Sequence, residues 1–220
     1  VSVDQYPYIR TLLAAQIKRL GVRSIYDVGA YTGGTSLALA TMFRKVTVRG
    51  IEPHPANCAA LRLAVQRYRL QNYHVHELAI SDKVDAYRLT YYTQDGEVTQ
   101  AACAEALADN KETARSVIVQ TTSFAAFCRA HGEPEMLLLN CEGEEFRIFK
   151  ASRDIIGRVK VLDLSMHGKS FRFTSEEYSR HKVLINEDLA AYGFELLYGE
   201  LLTNCERVPR GHIRQVWSRS

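Results

Sequence analysis

Two spacings of apolar residues alternate along the chain. Ile9, Leu12, Leu13, Ile17 and Leu20 share one helical face and Gly21 follows as a stop, so residues 1–21 read as an N-terminal helical segment. RSIYDVGA is a short β-rich run ending in an acid and a glycine, and TSLALATMF reads as a helix opened by Thr35 or Ser36. VTVRGIEP (46–53) is a second strand, again closed by an acid. PANCAALRLAVQRYRL follows as a helix with Leu61, Ala64, Val65 and Tyr68 on its inner face, and NYHVHELAIS supplies a third strand.

The register then changes. YRLTYY and SVIVQTT have strand character, and the polar, alanine-rich TQDGEVTQAACAEALADNKETAR between them reads as an excursion from the sheet. It is expected to be partly helical, with residues 94–116 a candidate lid or substrate loop. FAAFCRAH is a short helix, EMLLLN the fourth main strand, EEFRIFKAS a helix and VKVLDLSMH the fifth strand. SEEYSRHKVLINEDLAAYG is a long helix ending at Gly193, and FELLYGEL and IRQVWSR close as an antiparallel pair. Strands alternating with helices predict an α/β fold with a mostly parallel sheet covered on both faces.

Length and composition add bounds. A chain of 220 residues, 46% hydrophobic and 24% charged, suits a single domain over 1–220 with a substantial core. The net charge of +3 makes no electrostatic case for nucleic acid or membrane binding; the basic tail (Arg207, Arg210, Arg214, Arg219) reads as a solvated face. Five scattered cysteines without a CxxC pair suggest neither zinc nor a disulfide framework, which points to a reducing, cytoplasmic setting. No apolar run approaches the ~20 residues that span a bilayer.

Ligands of such sheets bind beyond the carboxyl ends of the strands, so the chemistry should be written there. The first tip is Asp27-Val28-Gly29-Ala30-Tyr31-Thr32-Gly33-Gly34. Its GxxxG spacing differs from the GxGxxG that sets a helix N-terminus against a pyrophosphate, which disfavours NAD and favours a cofactor without phosphates. The second tip carries Glu52, an acid placed to accept both ribose hydroxyls of an adenosine. At the third, Ala79-Ile80-Ser81-Asp82 offers small and polar groups to an adenine edge.

These stretches resemble the FkbM-like family of class I S-adenosylmethionine-dependent methyltransferases, over roughly residues 24–198. The resemblance rests on DVGAYTGGTSLALA, GIEPHPANCAALR, HVHELAISD, LLLNCEGEEFRIFKAS and VKVLDLSMH followed by AAYGFELL. It implies a Rossmann-like, mostly parallel seven-stranded sheet with one antiparallel strand. The activity implied is methyl transfer from S-adenosylmethionine, with O-methylation of a small hydroxylated acceptor, a sugar or secondary metabolite, the leading form. Carried over, Asp27, Gly29, Ala30, Tyr31 and Gly33 would cradle the amino-acid end of the cofactor, with Ser36 at the following helix start. Glu52 would hold the ribose, with Pro53 and Asn57 shaping the next helix, and Ser81 and Asp82 would flank the adenine. Asn140 would donate to the cofactor or position the acceptor, Glu142 and Gly143 match the fourth tip, and His167 matches the histidine after the fifth strand.

The departures fall on the acceptor side. Leu138 stands for the family's lysine, Asn140 for an aspartate, Tyr31 for an asparagine, Ser165 for a glutamate, and Phe124-Ala125-Ala126-Phe127 for Leu-Asp-Ser-Phe. For an alcohol acceptor a group must take the proton; His167 is the first choice, and Glu142 is second, as base or as the group orienting it. Asn140 is uncharged and is not the base. Glu144 and Glu145 read as first-turn helix acids. Tyr6, Tyr8, Tyr31, Tyr91 and Tyr92 are candidates for lining an acceptor pocket or for core packing. The ligand set argues against a metal. A non-catalytic module that keeps the cofactor, methylation of nitrogen or carbon, and a homodimer remain open alternatives.

Overall fold

The computed structural model describes residues 5–81, 87–94, 97–103, 114–167, 174–205 and 213–219; side chains at 5, 6, 87–94, 97–103 and 114–116 are not considered. In chain order the first half runs α1 (Gln5–Leu20), β1 (Ser24–Val28), α2 (Ser36–Met42), β2 (Thr47–Glu52), α3 (Pro55–Arg67), β3 (Tyr73–Glu77), β4 (Ala79–Ile80), β5 (Tyr87–Gln94) and β6 (Glu97–Cys103). The second half runs β7 (Ala114–Val119), β8 (Thr121–Thr122), α4 (Phe124–His131), β9 (Met136–Leu139), α5 (Glu145–Ala151), α6 (Arg153–Ile156), β10 (Val161–Met166), α7 (Ser175–Ala191), β11 (Phe194–Tyr198) and β12 (Ile213–Arg219).

Seven of these strands form one sheet in the order β11-β12-β10-β9-β1-β2-β3. β12 runs antiparallel to both its neighbours and every other pairing is parallel, which matches the expected Rossmann-like, mostly parallel sheet with one antiparallel strand. Alternation sorts the side chains onto two faces. Tyr26, Val28, Leu137, Leu139, Leu162 and Leu164 meet Phe124 and Phe127 of α4, Phe146 and Phe149 of α5, and Tyr178 and Leu189 of α7. On the other face Ile25, Val48, Leu138 and Val161 meet Ile9, Leu13 and Ile17 of α1, Leu37 and Leu39 of α2, and Leu61 of α3. All four residues of β9 are buried, as a central parallel strand requires, and each such large aliphatic side chain contributes roughly 1.5–3 kcal/mol.

The helix starts follow local chemistry. Ser123 caps α4 by accepting from Ala126 N–H, Pro55 opens α3, and Thr174 with Glu177 closes a reciprocal capping box on α7.

Two expectations need correction. Tyr68 is half exposed and caps the C-terminus of α3 instead of facing inward, because the helix ends at Arg67 and its buried stripe is Asn57, Cys58 and Leu61. Within the expected excursion, residues 97–103 are strand β6, which joins β5 and β7 in a separate antiparallel sheet ordered β6-β5-β7. Alternating Glu97-Val98-Thr99-Gln100 suits a strand, and the neighbouring alanines masked that signal. Residues 95–96 and 104–113 of the candidate lid lie outside the described residues, as do Asp82, Arg207 and Arg210.

Candidate active site

Four strand tips lie side by side, in the order β10, β9, β1 and β2. Gly29, just after β1, has φ +82, and a Cβ there would lie 1.8 Å from the main-chain oxygen of Asn140, just after β9. Its N–H and that of Ala30 both bond Ile51 O, at 2.9 and 3.1 Å, while Asn140 N–H bonds Val28 O at 3.0 Å. The glycine thus lets two strand ends touch. Gly33 has a similar packing reason, since a Cβ would meet Leu61 and Leu37.

Glu52 closes β2 and is only 4% exposed. Oε2 accepts Tyr31 N–H at 2.9 Å; Oε1 accepts His54 N–H and the Asn57 amide, both at 3.0 Å. Burial raises its pKa, partly opposed by those three donors. A carboxylate has about four acceptor sites, and these donors occupy three of them, one on Oε2 and two on Oε1. Pro53 is half-buried beside it and leads into the His54 cap of α3. Tyr31 sits at φ 51 with its ring 48% exposed beside the tip.

Asp27 lies beneath the first tip, buried, on the face of α2. Burial pushes its carboxyl up to about 7; a Ser36 hydrogen bond opposes the shift, and the nearby Asp163 carboxylate adds to it. Ser36 is fully buried and shares a 2.8 Å hydrogen bond with the Tyr73 hydroxyl, so it acts on Asp27 from behind. That arrangement needs Gly50, where a Cβ would lie 2.2 Å from the Tyr73 hydroxyl. The raised pKa has a measurable consequence. The folded state holds a proton that the unfolded chain has lost between pH ~4 and about 7, so stability drains away as pH rises through that window. Asp27→Asn is expected to melt several degrees higher than the parent at pH 8 and at nearly the same temperature at pH 4, checked by paired thermal scans.

The buried Leu138 pairs in register with Asp27 on one side and Asp163 on the other. Arg214 of β12 grips Asp163 through Nε at 2.9 Å and Nη2 at 2.5 Å. Ser165 is buried, and Phe124 and Phe127 are core residues, so these departures were absorbed by packing.

At the β9 tip Asn140 is exposed, and Glu142 adopts φ 51 ahead of Gly143 at φ 107. A non-glycine residue in that region costs roughly 1–2 kcal/mol. Glu145 holds the turn: its Oε1 accepts Cys141 N–H and its Oε2 accepts Gly143 N–H, both at 2.7 Å. The same Oε1 lies 2.7 Å from His167 Nδ1, and Glu142 Oε1 lies 3.4 Å from Nε2. Burial alone would lower the pKa of His167; the Glu145 hydrogen bond and charge, with Glu142 behind them, outweigh it and raise it. Ser81 is buried and its hydroxyl lies 3.4 Å from Glu144 Oε2, tying the third tip to this turn.

The reading of Glu145 as an ordinary first-turn acid is thus corrected: it does start α5, but it is fully buried and bonded to His167. Lys182, also buried, was missed as well. Its signal lay in the sequence, because Tyr178, Lys182, Ile185 and Leu189 form one helical stripe in which a lysine is out of place. Tyr8 packs on Tyr198 with ring centroids 5.7 Å apart, beside β11 and three strands from β9. The side chains of Tyr6, Tyr91 and Tyr92 lie outside the described residues. Among the described residues no group of three or more His, Cys, Asp or Glu is placed to hold a metal, and no helix is long and apolar enough to cross a membrane.

Comparison with known proteins agrees with this architecture. Solved structures of similar fold include the N-terminal domain of EvdMO1 with SAH bound (14% identity, 100% of this chain, 82% of that one, TM-score 0.55). Another is precorrin-6y C5,15-methyltransferase from Geobacter metallireducens GS-15 (11% identity, 97% and 88% covered, TM-score 0.51). A third is a fibrillarin/Nop5p complex (14% identity, 91% and 74% covered, TM-score 0.52). At such identities the likeness is one of fold. A search of curated proteins finds no match. The sequence itself matches the methyltransferase FkbM domain over residues 27–196, most of its length, and the chain therefore belongs to the FkbM methyltransferase family.

Proposed function

We propose that the chain transfers the methyl group of S-adenosylmethionine to a hydroxyl of a small acceptor, such as a sugar or secondary metabolite, with His167 receiving the acceptor's proton. The observation that carries this reading is a division of labour along one sheet edge. Two carboxyl groups, Asp27 and Glu52, sit at β1 and β2, while a histidine paired to a buried carboxylate sits at β9 and β10. The donor set suits the cofactor: the Glu52 carboxylate for the ribose, and a carboxyl at Asp27 for an ammonium. Ala30, Tyr31 and Gly33 form the adjoining backbone, and Ser81 lies on the adenine side.

When bound, S-adenosylmethionine supplies a sulfonium-activated methyl group, so that alignment of the acceptor is the protein's main task. His167 takes the hydroxyl proton through Nε2 and becomes an imidazolium, balancing the positive charge lost at sulfur. Glu142, near that nitrogen, stabilises the imidazolium. Asn140, exposed at the adjacent tip, is placed to orient the acceptor.

Titration calorimetry with S-adenosylhomocysteine tests the cofactor half. Glu52→Gln turns an amide against the Tyr31, His54 and Asn57 donors and is expected to weaken binding roughly 10- to 100-fold, the loss of about 1.5–3 kcal/mol for a hydrogen bond to a charged group. Binding of NAD in place of S-adenosylhomocysteine, or unchanged affinity in Glu52→Gln, would count against the assignment.

A further inference from the structure

We infer that Glu145 is a positioning residue whose carboxylate fixes His167 with its proton on Nδ1 and its lone pair on Nε2. The use of that lone pair in catalysis rests on the reading of His167 as proton acceptor; the geometry itself does not.

Glu145 has no solvent exposure and receives three contacts at 2.7 Å. Two come from the N–H groups of Cys141 and Gly143, one on each carboxylate oxygen. A protonated acid would turn an O–H against one of those N–H groups, so the residue is held as an acceptor-only carboxylate. The third contact is His167 Nδ1, on Oε1. Facing an ionised carboxylate, Nδ1 has to be the donor, which leaves Nε2 unprotonated in the neutral ring. Nε2 is 3.4 Å from Glu142 Oε1, too long for a good hydrogen bond, and the Glu142 side chain is 37% exposed. The basic nitrogen therefore lies on the Glu142 side of the ring, opposite Glu145.

A fully buried carboxylate is costly without a counter-charge. Lys182 of α7 is 1% exposed, and Glu145 is the carboxylate whose charge acts on it. Its ammonium also lies 5.7 Å from the centroid of the Tyr178 ring. Burial pulls the Lys182 pKa down to about 8 against the pull of Glu145. The charged groups acting on His167 are then Glu145 of α5, Glu142 of the preceding turn and Lys182 of α7, with opposite signs.

The test is an NMR titration of the His167 imidazole nitrogens in the chain, free and loaded with S-adenosylhomocysteine. The expected wild-type result is an Nδ1-protonated neutral ring with a pKa above the ordinary ~6.5. Glu145→Gln is expected to lower that pKa by about one unit or more and Glu145→Asp to restore part of it, a recovery that loosened packing would not give. If Glu145→Gln fails to fold, the wild-type tautomer still decides. A neutral ring protonated on Nε2, or a pKa unmoved in folded Glu145→Gln, would overturn the inference. Failure to bind S-adenosylhomocysteine would overturn the cofactor reading instead and leave the tautomer result standing.

Discussion

Replacing His167 with alanine is expected to cut methyl transfer by roughly 10²–10⁴-fold, the usual range for a general base, while leaving the affinity for S-adenosylhomocysteine within about twofold of wild type. Two features of the site dictate the split. His167 stands after β10, bonded to Glu145, whereas Glu52 and Asp27 stand at β2 and β1, on the far side of β9 from it. The loss should therefore fall on kcat and spare cofactor binding. The pH profile gives an independent check. A base works when deprotonated, and the carboxylates raise the His167 pKa against the effect of burial, so the rate should fall with decreasing pH from a midpoint above the ordinary ~6.5. The alanine variant should lose that limb.

Gly29→Ala is expected to be strongly disruptive for so small a substitution. The residue sits at φ +82 and the new Cβ would lie 1.8 Å from Asn140 O, which is main chain and unable to swing aside. Left-handed strain alone costs on the order of 1–3 kcal/mol, and parting the β1 and β9 ends also threatens the bonds from Gly29, Ala30 and Asn140. A loss of about 3–5 kcal/mol, or roughly 10 °C in melting temperature, is the expected result by chemical and thermal unfolding. Because the displaced atom belongs to Asn140, any variant that folds should lose activity beyond its loss of stability. Gly34→Ala is the control: a Cβ there meets nothing within 4 Å, and its melting temperature should stay close to the parent's.

The sequence was most readable where a local rule has one consequence. Strands closed by an acid, such as VTVRGIEP, placed Glu52 at a tip because the sheet parallels the chain's own alternation of strands and helices. Runs such as Leu137-Leu138-Leu139 announced a strand covered on both faces. Legibility failed where one residue type serves two ends. An acid at the first turn of α5 satisfies the helix dipole whether it is solvated or buried, so nothing local told Glu145 from a surface residue. Its importance comes from His167, 22 positions away, and from Lys182 on another helix. Gly29 packs against Asn140, a contact of 111 residues' separation that no local pattern encodes. The Arg214–Asp163 pair, on neighbouring strands 51 residues apart, is likewise a long-range contact that no local pattern encodes.

Transfer of a labelled methyl group from S-adenosylmethionine to the small-molecule fraction of a cell extract, run with wild type beside His167→Ala, tests the central claim most directly. The expected result is a methyl ether formed by the wild-type chain and reduced at least about a hundredfold in the variant, with S-adenosylhomocysteine binding intact in both. Equal labelling by the two proteins, or no labelled product from a wild-type chain that binds S-adenosylhomocysteine, would contradict it.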